Sequence, residues 1–121
     1  MENCIFCKIA RQEIPANIVY EDKDFMAFLD INPRAPGHVQ VIPKSHSRWV
    51  WDLPEDLAGE YFKVVRKIAL AQKKAFGQEV IHGRIEGKDV MHAHFWVYPD
   101  PATIGEKTDF EGNSQKIKNN L

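Results

Sequence analysis

From Pro54 to Gly77 the chain carries one uninterrupted helical pattern, with Leu57, Tyr61, Val64, Ile68, Ala71 and Ala75 at spacings of four, three, four, three and four. Side chains so spaced form a single stripe along a helix, and that stripe is stable only when buried. Asp52 predicts the N-cap with Glu55 three residues on, Pro54 suits the first turn, and Gly77 can end the helix. No other segment holds this period over such a length. The remaining apolar residues fall in short runs between turn formers, which read as strands.

Those runs are ordered along the chain. Residues 4–12 predict a short amphipathic helix that Glu13-Ile14-Pro15-Ala16 breaks. Ile18–Tyr20 and Phe25–Leu29 predict a hairpin across the charged turn Glu21-Asp22-Lys23-Asp24. Asp30 to Gly37 is dense in turn formers, and His38–Ile42 then reads as a strand ended by Pro43. After the long helix, Val80–Ile85 and Asp89–Tyr98 predict a second hairpin across Glu86-Gly87-Lys88. Hairpins without repeated crossovers place the chain in the α+β class, with an antiparallel sheet of about five strands, one long helix and a short N-terminal helix. The domain is expected over residues 1–105, followed by a polar, irregular tail over 106–121.

The 121 residues suffice for one core without disulfides. A net charge of -1 indicates no long-range attraction to nucleic acid or membrane. Met1–Cys7 has no basic stretch leading into an apolar run, and no window approaches the roughly 18 apolar residues of a spanning helix; the expected location is the cytoplasm. The only cysteines, in Cys4-Ile5-Phe6-Cys7, suggest metal or redox chemistry in a reducing compartment before a disulfide.

Chemistry concentrates in Met91-His92-Ala93-His94-Phe95-Trp96-Val97-Tyr98. In an extended strand His92, His94 and Trp96 share one face. Two imidazoles on one wall can supply a metal ligand, a nucleophile or an acid/base group near neutral pH; a solvated strand surface is the plain alternative.

Along most of its length, from about Asn3 to Pro99, the chain resembles the histidine triad, or HIT, superfamily of nucleotidyl hydrolases and transferases. The patterns Ile5-Phe6-Cys7-Lys8-Ile9, Glu13-Ile14-Pro15-Ala16, Tyr20-Glu21-Asp22, Ala27-Phe28-Leu29-Asp30-Ile31 and Pro36-Gly37-His38-Val39-Gln40-Val41-Ile42-Pro43-Lys44-Ser45-His46 recur in family order. The family signature alternates three histidines with apolar residues; here it reads His92-Ala93-His94-Phe95-Trp96-Val97-Tyr98, so Trp96 replaces the third.

The resemblance implies a purine nucleoside phosphate as substrate, with His94 attacking the α-phosphorus to form a nucleotidyl-imidazole and His38 in the supporting hydrogen-bond network. It implies a nucleoside pocket of Ile5, Phe6, Ile9, Phe28 and Ile31, with Asp30 accepting from the ribose hydroxyls. Cys4 and Cys7, three apart at a helix start, can converge on one ion. The resemblance completes that half-site with His46 and His92 as a structural zinc centre, and it implies a homodimer. Two departures weaken the expectation of ordinary turnover. Asp89 stands where relatives carry a hydroxyl donor to phosphate. Trp96 offers an N–H donor and no proton shuttle. The sequence therefore supports a HIT enzyme, or alternatively a HIT-fold nucleotide-binding or interaction protein with weakened catalysis.

Overall fold

Five strands, β1 (Ile18–Glu21), β2 (Phe25–Leu29), β3 (Val39–Pro43), β4 (Ile81–Glu86) and β5 (His94–Pro99), pair antiparallel in the order β1-β2-β3-β5-β4. Three helices, α1 (Ile5–Ala10), α2 (Glu55–Phe76) and α3 (Phe110–Lys118), complete the α+β fold expected from the sequence. This computed structural model describes residues 3–121, so the first two residues of the Met1–Cys7 stretch lie outside it. No helix among the described residues is long and apolar enough to cross a membrane.

Period-two alternation gives the sheet two different faces. Phe25, Ala27 and Leu29 of β2, Val39 and Val41 of β3 and Val97 of β5 pack against Tyr61, Val64, Val65, Ile68 and Ala71 of α2. Each large side chain buried there contributes roughly 1.5–3 kcal/mol. Met26, Phe28 and Ile42 point the other way and meet Phe6 and Ile9 of α1. The sheet is therefore a partition, with α2 and the main core on one side and α1 with the candidate site on the other.

Polar groups also fix α2. The Tyr61 hydroxyl donates to the Val41 carbonyl at 2.6 Å. The fully buried Gln72 donates to the carbonyls of Gly37 and Val97, both at 2.8 Å. Gly37, at φ +75°, turns the chain into β3 directly under Phe76, where a Cβ would lie 2.3 Å from the ring. Only glycine meets both demands.

The structure corrects three expectations. Asp52 does not cap α2. It closes a 3-10 turn over Val50–Asp52, accepting from the Trp49 N–H at 3.2 Å, and the helix begins after Pro54. The second hairpin has a longer connection than Glu86-Gly87-Lys88, because β5 starts at His94 rather than Asp89. The Ala93 N–H donates instead to the Ser47 carbonyl at 2.6 Å, drawing residues 91–93 out of the strand. Gly87 lies so close to the segment before α2 that a Cβ would fall 2.5 Å from the Arg48 oxygen.

Third, residues 110–118 are not an irregular tail: they form α3. Asp109 caps it by accepting from the Gly112 N–H at 3.0 Å, and Ile117 is fully buried in the main core. Its apolar stripe is only Phe110 and Ile117 in otherwise polar sequence, too sparse to show a period.

Candidate metal centre and active site

Cys4 precedes the first turn of α1, and its Sγ accepts from the Cys7 N–H at 3.3 Å. The other two members arrive from loops: His46 follows β3, and His92 precedes β5. Cys4 Sγ and Cys7 Sγ lie 3.2 and 3.4 Å from His92 Nδ1, and Cys7 Sγ lies 3.3 Å from His46 Nδ1. All four potential ligand atoms fall within 4.8 Å of one another. Tetrahedral zinc with ordinary Zn–S and Zn–N lengths has S···N edges of about 3.6 Å, so the donors fit a metal in type and spacing.

The His92 ring is oriented for this role. Its Nε2–H donates to the Pro43 carbonyl at 2.8 Å, leaving the Nδ1 lone pair directed at the thiols. Burial brings the His92 pKa down to about 4, which keeps the ring neutral. Burial, then the Cys4 thiol, push Cys7 up to about 11. A bound cation counters that shift by stabilising the thiolate directly.

His94 uses the opposite nitrogen. Its Nδ1–H donates to the His92 carbonyl at 2.7 Å, so Nε2 carries the free lone pair. The ring is 5% exposed, and burial lowers its pKa. Phe6 packs edge-on against it, centroids 4.9 Å apart. His94 opens on a cavity of about 270 Å³ that it shares with Phe6, Asp30, Asp89 and Trp96. A larger cavity of about 650 Å³ flanks the Cys/His cluster and includes Ile5 and His46. Asp89 and Val90 belong to both. The smaller cavity holds the imidazole and converging polar groups, the features that mark a reactive site.

Asp30 is held rigidly at one wall. Its carboxylate accepts from the Asn32 N–H at 2.8 Å and from Gln40 Nε2 at 3.0 Å. Behind it, His38 Nδ1 accepts from the Arg34 N–H at 3.1 Å, which puts the ring proton on Nε2, 3.5 Å from the Asp30 carboxylate. Burial pulls His38 down to about 4, Asp30 opposing the shift. His38 Nε2 thus faces Asp30 without a hydrogen bond to it, and the ring packs against Trp96 and Tyr98.

Register explains what surrounds Trp96. Phe28, Gln40, Trp96 and Arg84 are successive partners across β2, β3, β5 and β4. The guanidinium carbons of Arg34 and Arg84 lie 4.4 and 5.2 Å from the indole centroid. His38 Nε2, Gln40 Oε1 and Trp96 Nε1 are buried without hydrogen-bond partners among the described residues.

Of the expected pocket, Phe6 and Asp30 line the cavity, whereas Ile9 and Phe28 support Phe6 from behind in the α1 cluster. Ile5 belongs to the neighbouring cavity, and Ile31 is 75% exposed and lines neither. Sequence reading missed Asn32, Arg34, Gln40 and Glu86. Gln40 and Glu86 could have been found from strand register, because they flank Trp96 and His94; Arg34 comes from a turn and left no such signal.

The sequence model of the HIT domain matches residues 11–102. The chain belongs to the HIT family. It is 42% identical over 111 residues to an uncharacterized HIT-like protein of Methanocaldococcus jannaschii, covering 88% of this chain and 86% of that one. To the adenosine 5'-monophosphoramidase of Saccharomyces cerevisiae it is 37% identical over 97 residues, 79% of this chain and 61% of the yeast protein. Among solved structures, a HIT-like protein from Bartonella henselae superposes with a TM-score of 0.88 at 41% identity, covering 100% of this chain and 98% of that one. A Zn-bound HIT protein from Mycobacterium smegmatis gives a TM-score of 0.83 at 27% identity, covering 98% and 92%.

Proposed function

We propose that this HIT protein is a nucleotidyl hydrolase or transferase acting at the α-phosphate of a purine nucleoside phosphate through a nucleotidyl-histidine intermediate. The carrying observation is the His94 ring, anchored through Nδ1–H on the His92 carbonyl with Nε2 free at the cavity. In the first step Nε2 forms a bond to phosphorus, and the bond to the leaving group breaks with its electron pair. The His92 carbonyl then faces an imidazolium-like ring that it already holds. Water or another acceptor attacks the same phosphorus, the P–N bond breaks with its electron pair returning to Nε2, the acceptor's proton passes to solvent, and neutral His94 returns. In this reading Asp30 would accept from ribose hydroxyls, Phe6 would contact the base, and His38, with Nε2 3.5 Å from Asp30, would join the supporting network once substrate is bound.

Cys4, Cys7, His46 and His92 would hold a zinc ion with no open position, a structural arrangement. Bound there, zinc would supply a cross-link between α1 and the loop that carries the His92 carbonyl. The edge strand β4, exposed on both faces, offers free backbone groups that a second copy of the chain would pair with, giving a homodimer.

Mixed with adenosine phosphoramidate, dinucleoside polyphosphates and sugar nucleotides, the purified protein should release mononucleotide, and His94→Ala should abolish the release. No turnover of any member would favour the second reading, a nucleotide-binding protein with decayed catalysis, which Trp96 and Asp89 support.

A further inference from the structure

If His94 is the nucleophile, the assignment on which this inference rests, the cavity must also deal with the group that departs. We propose that Arg34, stacked on Trp96, makes the site selective for a leaving group that departs as a phosphate anion, so that nucleoside polyphosphates are preferred to phosphoramidates.

Trp96 stands two residues beyond His94 on the same face of β5 and lines the same cavity. Its indole N–H can donate a hydrogen bond but cannot surrender a proton to a departing atom. An amine expelled from phosphorus needs that proton. A phosphate does not, because it leaves as a stable anion and requires only that its charge be met.

Among the described residues, three other titratable groups at or behind the cavity are already engaged. Asp30 is a carboxylate accepting hydrogen bonds from Asn32 and Gln40. Glu86 is ion-paired with Arg84. His38 directs its Nε2–H towards Asp30.

A cation, by contrast, is present and unengaged. The Arg34 guanidinium lies 4.4 Å from the Trp96 centroid and lines the cavity, and its side chain makes no hydrogen bond or ion pair among the described residues. Its backbone is anchored by the N–H donated to His38. Stacking on the indole orients the planar guanidinium while leaving its edge donors available to an anion. Arg84 also contacts the ring, but Glu86 already neutralises it. Asp89 lines the same cavity, and no side-chain hydrogen bond or ion pair holds it among the described residues; as a carboxylate it opposes anion entry. Arg34 is the charge that offsets it.

The test compares kcat/KM for diadenosine triphosphate and adenosine phosphoramidate in the full chain and its variants. The wild type should favour the triphosphate, and Arg34→Gln should reduce that preference by about tenfold or more, the scale of a hydrogen bond to a charged group. Arg34→Lys, which keeps the charge but not the planar stack, should fall between. Trp96→His, which supplies a titratable group, should raise the phosphoramidate value. A ratio unchanged in Arg34→Gln, or a wild type that prefers the phosphoramidate, would overturn the selectivity while leaving the His94 mechanism standing. Turnover of neither substrate would overturn both.

Discussion

His92 and His94 lie two positions apart and present opposite nitrogens, because each is oriented by a backbone carbonyl through a different ring N–H. His92 bonds Pro43 through Nε2 and turns Nδ1 to the thiols; His94 bonds His92 through Nδ1 and turns Nε2 to the cavity. His38 carries a pH dependence of its own. Its pKa falls from 6.5 to about 4 on folding, so between those values the unfolded chain binds a proton that the folded chain refuses. Stability therefore declines as pH falls through that window. Urea midpoints measured across it should drop less steeply in His38→Asn than in the wild type; identical slopes would show that His38 is not the source. The histidines and cysteines were legible in the sequence because their residue types carry their chemistry. Arg34 was not, since an arginine in a turn acquires meaning only when the fold lays it over Trp96.

At the level of elements, the strong periodic signals translated directly: α2 and β2 form where the pattern places them. The failures came where tertiary contacts override a local pattern. Alternation begins at Met91, but the Ala93–Ser47 hydrogen bond delays the start of β5 to His94 and frees His92 to turn towards the cysteines. The C-terminal segment was hidden for a different reason, its burial resting chiefly on Ile117 against α2 and the sheet. Ile117→Ala should therefore cost about 2–5 kcal/mol, as for other buried aliphatic truncations. Denaturant unfolding would measure it. A loss below about 0.5 kcal/mol, the scale of surface substitutions, would show that α3 is only loosely docked.

For the whole molecule, the Cys/His cluster would join α1 to the loop ahead of β5, and so link the covering of the cavity to its nucleophile. Elemental analysis should find about one zinc per chain, lost in Cys4→Ser/Cys7→Ser together with thermal stability. A metal-free protein of unchanged stability would refute the structural zinc. Light scattering should give twice the chain mass if β4 pairs with a second copy, and the single-chain mass if it does not. In the proposed mechanism His94 carries the nucleotide. Its most direct test is intact mass spectrometry of enzyme and dinucleoside polyphosphate quenched rapidly under alkaline denaturing conditions, which preserve a phosphorus–imidazole bond. The wild type should carry an adduct of one nucleotidyl group, a nucleoside monophosphate less one water, and His94→Ala should carry none; turnover that proceeds without an adduct and survives His94→Ala would refute the histidine intermediate.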